Sequence, residues 1–118
     1  MQIIIKTKNL EPTDSLRDLI NKKINGLGKF VKIFKEDFKE IFVEVEKETR
    51  HHKKGNIFFA ELIISLPGKK LFAKAHGENL SKAITEVKDE MEREIKKYKT
   101  KTIELPRRKY RKIKKQIV

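Results

Sequence analysis

Imidazole is the commonest neutral metal ligand and general base, so the three histidines are the first candidates for chemistry. His51 and His52 are adjacent, which points them apart on an extended or turn backbone, and His76 ends a strand-like run alone. No second or third ligand follows at metal spacing, so exposed or RNA-contacting imidazoles are expected, with no metal and no catalytic role. Glu86, Asp89, Glu90, Glu92 and Glu94 are interleaved with Lys88, Arg93, Lys96 and Lys97. Asp89/Arg93 and Glu92/Lys96 sit at the i,i+4 spacing of surface ion pairs, which is no arrangement for acid–base work. Gly26-Leu27-Gly28-Lys29 follows a helical run instead of preceding one, so it reads as a helix terminator and not as a phosphate loop. With no nucleophile, base or metal set, the chain is not expected to be an enzyme, and no cofactor or small-molecule substrate is expected.

Cations carry what chemistry remains. Lys22 and Lys23 lie off an apolar helical stripe, with Lys29 and Lys32 just beyond it; Arg50, Lys53 and Lys54 crowd a polar stretch; Arg93, Lys96, Lys97, Lys99 and Lys101 load the end of a second helical run. Any one of these clusters alone is an ordinary solvated face. Their recurrence, in a chain of net charge +13, points to a polyanion. Residues 106–118 hold seven basic side chains and no acidic one, among them Arg107, Arg108, Lys109 and Arg111, more than half of that net charge. A block of like charge with Tyr110, Ile113, Ile117 and Val118 as its large apolar residues cannot form a core, so this tail is expected to be disordered without a partner.

The elements that must position these cations follow from periodicity. Gln2 to Lys6 reads as a strand and Asn9-Leu10-Glu11-Pro12-Thr13 as a turn. Leu16, Leu19, Ile20, Ile24 and Leu27 recur at helical spacing, capped by Thr13, which gives a helix over Asp14 to Leu27 stopped by Gly26 and Gly28. Ile41, Val43 and Val45 alternate with Phe42, Glu44 and Glu46; Phe58, Ala60, Leu62, Ile64 and Leu66 alternate again; Leu71, Ala73 and Ala75 return after a Pro67-Gly68 type II turn. Asn79 caps a helix of about twenty residues, roughly 30 Å long, striped by Leu80, Ala83, Ile84, Val87, Met91, Ile95 and Tyr98. The order is β-α-β-β-β-α. The expected fold is α+β: a four-stranded sheet with two helices packed on one face and the opposite face open, over residues 1–105, followed by the basic tail 106–118.

At 118 residues the chain has room for one domain. It contains no cysteine, which excludes disulfides and thiolate sites. Its apolar runs are too short to span a bilayer, and Met1-Gln2-Ile3-Ile4-Ile5-Lys6 has no signal-peptide layout, so a cytoplasmic location is expected.

Three stretches together resemble the ribosome hibernation promoting factors, also called ribosome-associated translation inhibitors. They are Arg50-His51-His52-Lys53-Lys54-Gly55, the run ending Leu66-Pro67-Gly68, and the helix from Ala83-Ile84 through Met91-Glu92-Arg93-Glu94-Ile95-Lys96-Lys97-Tyr98-Lys99, which looks like the family's long helix ending in Leu-Glu-Arg and Lys-Tyr-Lys. The resemblance runs over most of residues 1–101, and the chain looks like a short form without a dimerisation domain. It departs from the pattern at Glu90, where a lysine commonly stands, and at Asn79-Leu80-Ser81, where the family tends to an acidic residue and tyrosine. The resemblance implies a monomer off the ribosome and, as partners, the small ribosomal subunit and the assembled ribosome. On these it implies contact with 16S rRNA in the decoding region, blocking messenger and transfer RNA. It assigns phosphate contacts to Lys22, Lys23, Lys29, Arg50, Lys53, Lys54, Lys82, Arg93, Lys96, Lys97 and Lys99, and Lys101 with the tail cations Arg107, Arg108, Lys109 and Arg111 extends the set. A general double-stranded RNA or DNA binding module is the alternative, because a sheet with helices on one face serves many partners. An electrostatic membrane-surface protein is a third and weaker one.

Overall fold

Alternating apolar positions build the strands, and their pairing decides which side of each is buried. The computed structural model of the protein describes residues 2–28, 40–49, 56–66 and 69–101. Four strands, β1 (Gln2–Lys8), β2 (Glu40–Thr49), β3 (Asn56–Leu66) and β4 (Lys69–Gly77), form one sheet in the order β1-β2-β3-β4. β1 pairs parallel to β2, and the other pairs are antiparallel. β1 runs two residues beyond the expected Lys6, because the parallel ladder continues to Lys8 opposite Glu46, where the two side chains form an ion pair at 3.7 Å. Asn9 then turns the chain away in a left-handed conformation (φ 59°), which asparagine tolerates, and its Nδ2 donates to the Lys47 carbonyl.

Helix α1 (Asp14–Ile24) begins as expected: the Thr13 hydroxyl accepts from the Leu16 N–H at 3.2 Å. Its end differs from the expectation. The α-helix stops at Ile24 and tightens into a 3-10 turn over Asn25–Leu27, and Gly28 has a right-handed φ of −55°. The glycines therefore do not stop it through a left-handed cap; the narrower turn instead swings Leu27 into full burial.

Helix α2 (Leu80–Lys99) follows β4 after two residues, so it must fold straight back along that strand. Asn79 Oδ1 accepts from the Lys82 N–H at 2.8 Å. The return is tight: a Cβ on Gly77 would lie 2.8 Å from the Ala83 backbone nitrogen. Ala83, Ile84, Val87, Met91 and Ile95 are fully buried along the inner side of α2, joined by Leu16, Ile20 and Ile24 of α1 and by Ile41, Val43, Val45, Leu62 and Ile64 of the sheet. Each side chain of this size contributes about 1.5–3 kcal/mol on burial, which makes this side the seat of stability. Both helices thus cover one face of a four-stranded sheet, as expected. The Pro67-Gly68 turn, the loop between β2 and β3 and the boundary expected at Leu105 lie outside the described residues.

Candidate nucleic-acid interface

The two helix ends collect cations for a local reason: positive charge in the last turn complements the exposed carbonyls of the helix dipole. α1 ends with Lys22 and Lys23, and α2 with Lys96, Lys97 and Lys99, followed by Lys101. The amphipathic phase that buries Met91 and Ile95 exposes Lys96, Lys97 and Arg93, while Lys99 is half-buried.

Packing then joins these ends to residues far away in the chain. Where α1 meets α2, Lys23 Nζ donates to Thr85 Oγ1 at 2.7 Å. On the same seam Gly26 stands against Lys88: a Cβ there would lie 3.1 Å from Lys88 Cε and Nζ. Lys88 in turn pairs with Glu92 at 3.7 Å, both side chains being largely covered. At the far end of α2 the start of β4 comes alongside, with Lys69 Nζ 5.5 Å from the centroid of the Tyr98 ring. Lys69 and Lys70 are exposed there, so the ends of two elements place six lysines (Lys69, Lys70, Lys96, Lys97, Lys99 and Lys101) at one end of the molecule.

The expected site residues thus fall into groups. Lys22 with Lys23, and Lys96 with Lys97, Lys99 and Lys101, are brought together as helix ends. Lys82 lies at the opposite end of α2, about 20 Å from Lys96 at helical rise, and pairs with Glu78 at 3.6 Å. Arg93 pairs with Glu90 and Lys97 with Glu94, each one turn back. The pair expected between Asp89 and Arg93 is replaced by Glu90–Arg93, because an i,i+3 carboxylate also reaches the guanidinium; Glu92 pairs with Lys88 at i,i+4 spacing. Lys29, Arg50, Lys53, Lys54, Arg107, Arg108, Lys109 and Arg111 lie outside the described residues.

Lys69, Lys70 and Lys88 belong to the cationic surface and were not among the residues the sequence singled out. The short link from β4 to α2 was the available signal for the first two, since an immediate return sets the end of the helix beside the start of the strand. For Lys88 there was none, because its position follows from how α1 crosses α2.

Lysine and arginine in this arrangement are able to donate N–H groups to phosphate oxygens. His76 faces Phe59 with ring centroids 6.0 Å apart, and no cluster of three His, Cys, Asp or Glu able to hold a metal occurs among the described residues. None of the described helices is long and apolar enough to cross a membrane.

Comparison with known proteins gives concordant results. The family model described as Sigma 54 modulation protein / S30EA ribosomal protein matches residues 3–103. A curated relative, the ribosome hibernation promoting factor of Acinetobacter guillouiae, is 28% identical over 103 residues, covering 84% of this chain and 88% of that protein. A ribosomal subunit interface protein from Coxiella burnetii has the same fold, with a TM-score of 0.67 at 18% identity over 85% of this chain and 99% of that one. The N-terminal domain of Thermus thermophilus Protein Y matches with a TM-score of 0.58 at 25% identity, covering 81% of this chain and 94% of that domain.

Proposed function

The chain belongs to the Sigma 54 modulation protein / S30EA ribosomal protein family, and from that premise we propose that it is a ribosome hibernation factor. It binds 16S rRNA in the decoding region of the small subunit and excludes messenger and transfer RNA. The observation that carries the reading is the convergence of Lys96, Lys97, Lys99 and Lys101 with Lys69 and Lys70 at one end of a family fold. Lysines from two elements held on a rigid frame match a folded RNA surface better than a loose charge run does, because their spacing is set before binding. Lys22, Lys23 and Lys88 supply a second set of contacts along the helix seam. The curated relative's name, ribosome hibernation promoting factor, supports the same assignment.

Inhibition on this reading is by occupancy. It is therefore stoichiometric and reversible, and leaves RNA and factors covalently unchanged. Titration of an in vitro translation reaction should reach full inhibition near one protein per ribosome, and messenger RNA binding to isolated small subunits should fall in parallel. Strong inhibition far below that ratio would mean turnover and hence an enzyme. Sedimentation through a sucrose gradient separates the other reading: a general duplex-binding module would distribute over added double-stranded RNA instead of following the ribosome.

A further inference from the structure

The sheet face away from the helices has an order of its own. Ile4, Phe42, Ile63 and Phe72 are cross-strand neighbours in one row that runs from β1 to β4. Phe42 is 42% exposed and Phe72 55%, the large hydrophobics left exposed among the described residues. The next row is Lys6, Glu44, Glu61 and Lys74, with an ion pair between Glu61 and Lys74 at 3.7 Å. Glu40, Glu46 and Glu48 fall on the same side of β2 by alternation, while Lys8, paired with Glu46, and Lys70 stand on the two edge strands, so the lysines of this face lie at its edges and the carboxylates at its centre. In a chain of net charge +13, the middle of this face is apolar and acidic.

That chemistry selects the occupant. A phosphate backbone laid across the face would meet Glu44 and Glu61 at its centre. A second copy fits no better: a two-fold along the strands opposes Glu44 with Glu61 and Lys6 with Lys74, and a two-fold along the apolar row opposes Glu44 with Glu40. The partly exposed apolar side chains of this face, Ile4, Phe42, Ile57, Phe59, Ile63 and Phe72, also fall short of the roughly 800 Å² per partner of a standard interface. A basic peptide with spaced apolar side chains fits both features, and this chain carries one. Residues 106–118 hold seven Lys and Arg, no acid, and Tyr110, Ile113, Ile117 and Val118.

The point of departure is right for it. Tyr98, near the end of α2, lies against Lys69 at the start of the edge strand β4, on the covered side, so a segment leaving there reaches the open face by passing round the β4 edge. Phe72 is three residues further along that strand, about 10 Å away at strand rise. Residues 102–118 extend to as much as about 55 Å, whereas four strands are about 15 Å across. A segment tethered this closely is present at millimolar effective concentration, so a weak contact suffices.

We propose that the basic segment 106–118 seats on the open face of its own sheet when no polyanion is bound. Its apolar residues cover the Phe42–Phe72 row, and its cations face Glu44, Glu61 and their neighbours. Rooted in the free protein, the proposal stands or falls independently of the ribosomal assignment.

The absence of cysteine makes the test clean. A nitroxide on Gln116→Cys in the full-length, ¹⁵N-labelled protein reads the segment's position as relaxation enhancement at backbone amides. Enhancement several-fold stronger at residues 42–44, 61–63 and 70–74 than on the outer side of α1 and α2 is expected, and it should collapse in 0.5 M salt, roughly a 4 Å Debye length. The Glu44→Lys, Glu61→Lys double variant should abolish it with an unchanged circular dichroism spectrum. Uniform enhancement, or enhancement centred on the helices, overturns the proposal from the wild-type map alone. Transfer of the effect to ¹⁵N protein that carries no nitroxide also overturns it, since the segment would then be seated on a second copy.

Discussion

Leu62 and Ile63 are neighbours in β3, yet one is fully buried beneath α2 and the other lies between Phe42 and Phe72 on a face that none of the described elements covers. The same contrast repeats along the whole sheet. On the covered side Ile41, Val43, Val45, Leu62 and Ile64 meet two helices in a continuous apolar core. On the open side Phe42, Glu44, Glu46, Glu61 and Lys74 form rows of mixed character, with ion pairs whose lysines are mostly in water. The period of two along a strand means that one set of residues stabilises the protein while the interleaved set is left available for contact. Lysines gather in a third place, the helix ends and the seam between helices, where several of them are paired with carboxylates of the same helix.

The contrast breaks first, and most severely, on the covered side. Met91→Asp places an unpaired charge in the core and should cost more than about 4 kcal/mol, reading out as loss of the cooperative thermal transition. A variant with wild-type Tm would mean that the phase of α2 is wrong. Next in size is the effect of charge placement on binding. Changing Lys96, Lys97 and Lys99 together to Gln should weaken ribosome binding and reduce its salt slope by about 3, one for each phosphate that is no longer neutralised. The matched change of Lys6, Lys8 and Lys74 to Gln on the open face should leave both nearly as they were. Equal effects of the two triple variants in a filter-binding salt series would erase the functional difference between the two regions.

Gly77→Ala probes how tightly α2 returns over β4. The added methyl meets backbone, so a loss of about 1–3 kcal/mol by denaturant titration is expected. Gly26→Ala meets only the movable end of Lys88 and should cost well under half as much. Phe72→Ala sharpens the comparison on the open side: with over half of the ring already in water, the change in stability should stay under about 1 kcal/mol. The smallest effect belongs to Glu61→Gln, which breaks a pair whose lysine is mostly in water and should move stability by no more than about 0.5 kcal/mol.

Much of this architecture is legible in one dimension. Alternation at Ile41, Val43 and Val45, and again from Phe58 to Leu66, identifies both the strands and their buried sides. Thr13 and Asn79 mark the helix starts, and each caps as expected. The stripe from Ala83 to Ile95 sets the phase of α2 and, by exclusion, the exposure of Lys96 and Lys97. Less legible was the end of α1, where two glycines suggested a helix terminator after Leu27 and the chain instead tightens at Ile24 into a right-handed 3-10 turn that buries Leu27. One ion pair of α2 shifted by one residue, Arg93 taking Glu90 in place of Asp89, since i,i+3 and i,i+4 partners compete on near-equal terms for the same cation.

Element order, helix phase, strand faces and the clustering of charge near helix ends were all present in the amino-acid sequence, because each depends on the repeat of a local backbone conformation. Parallel pairing of β1 with β2, the meeting of Lys69 and Lys70 with the end of α2, and the seam shared by Lys23, Thr85 and Lys88 emerged only in the folded chain. Such contacts join residues tens of positions apart, and no periodicity encodes them; they follow from how one shared core is filled, a condition that every element meets at once.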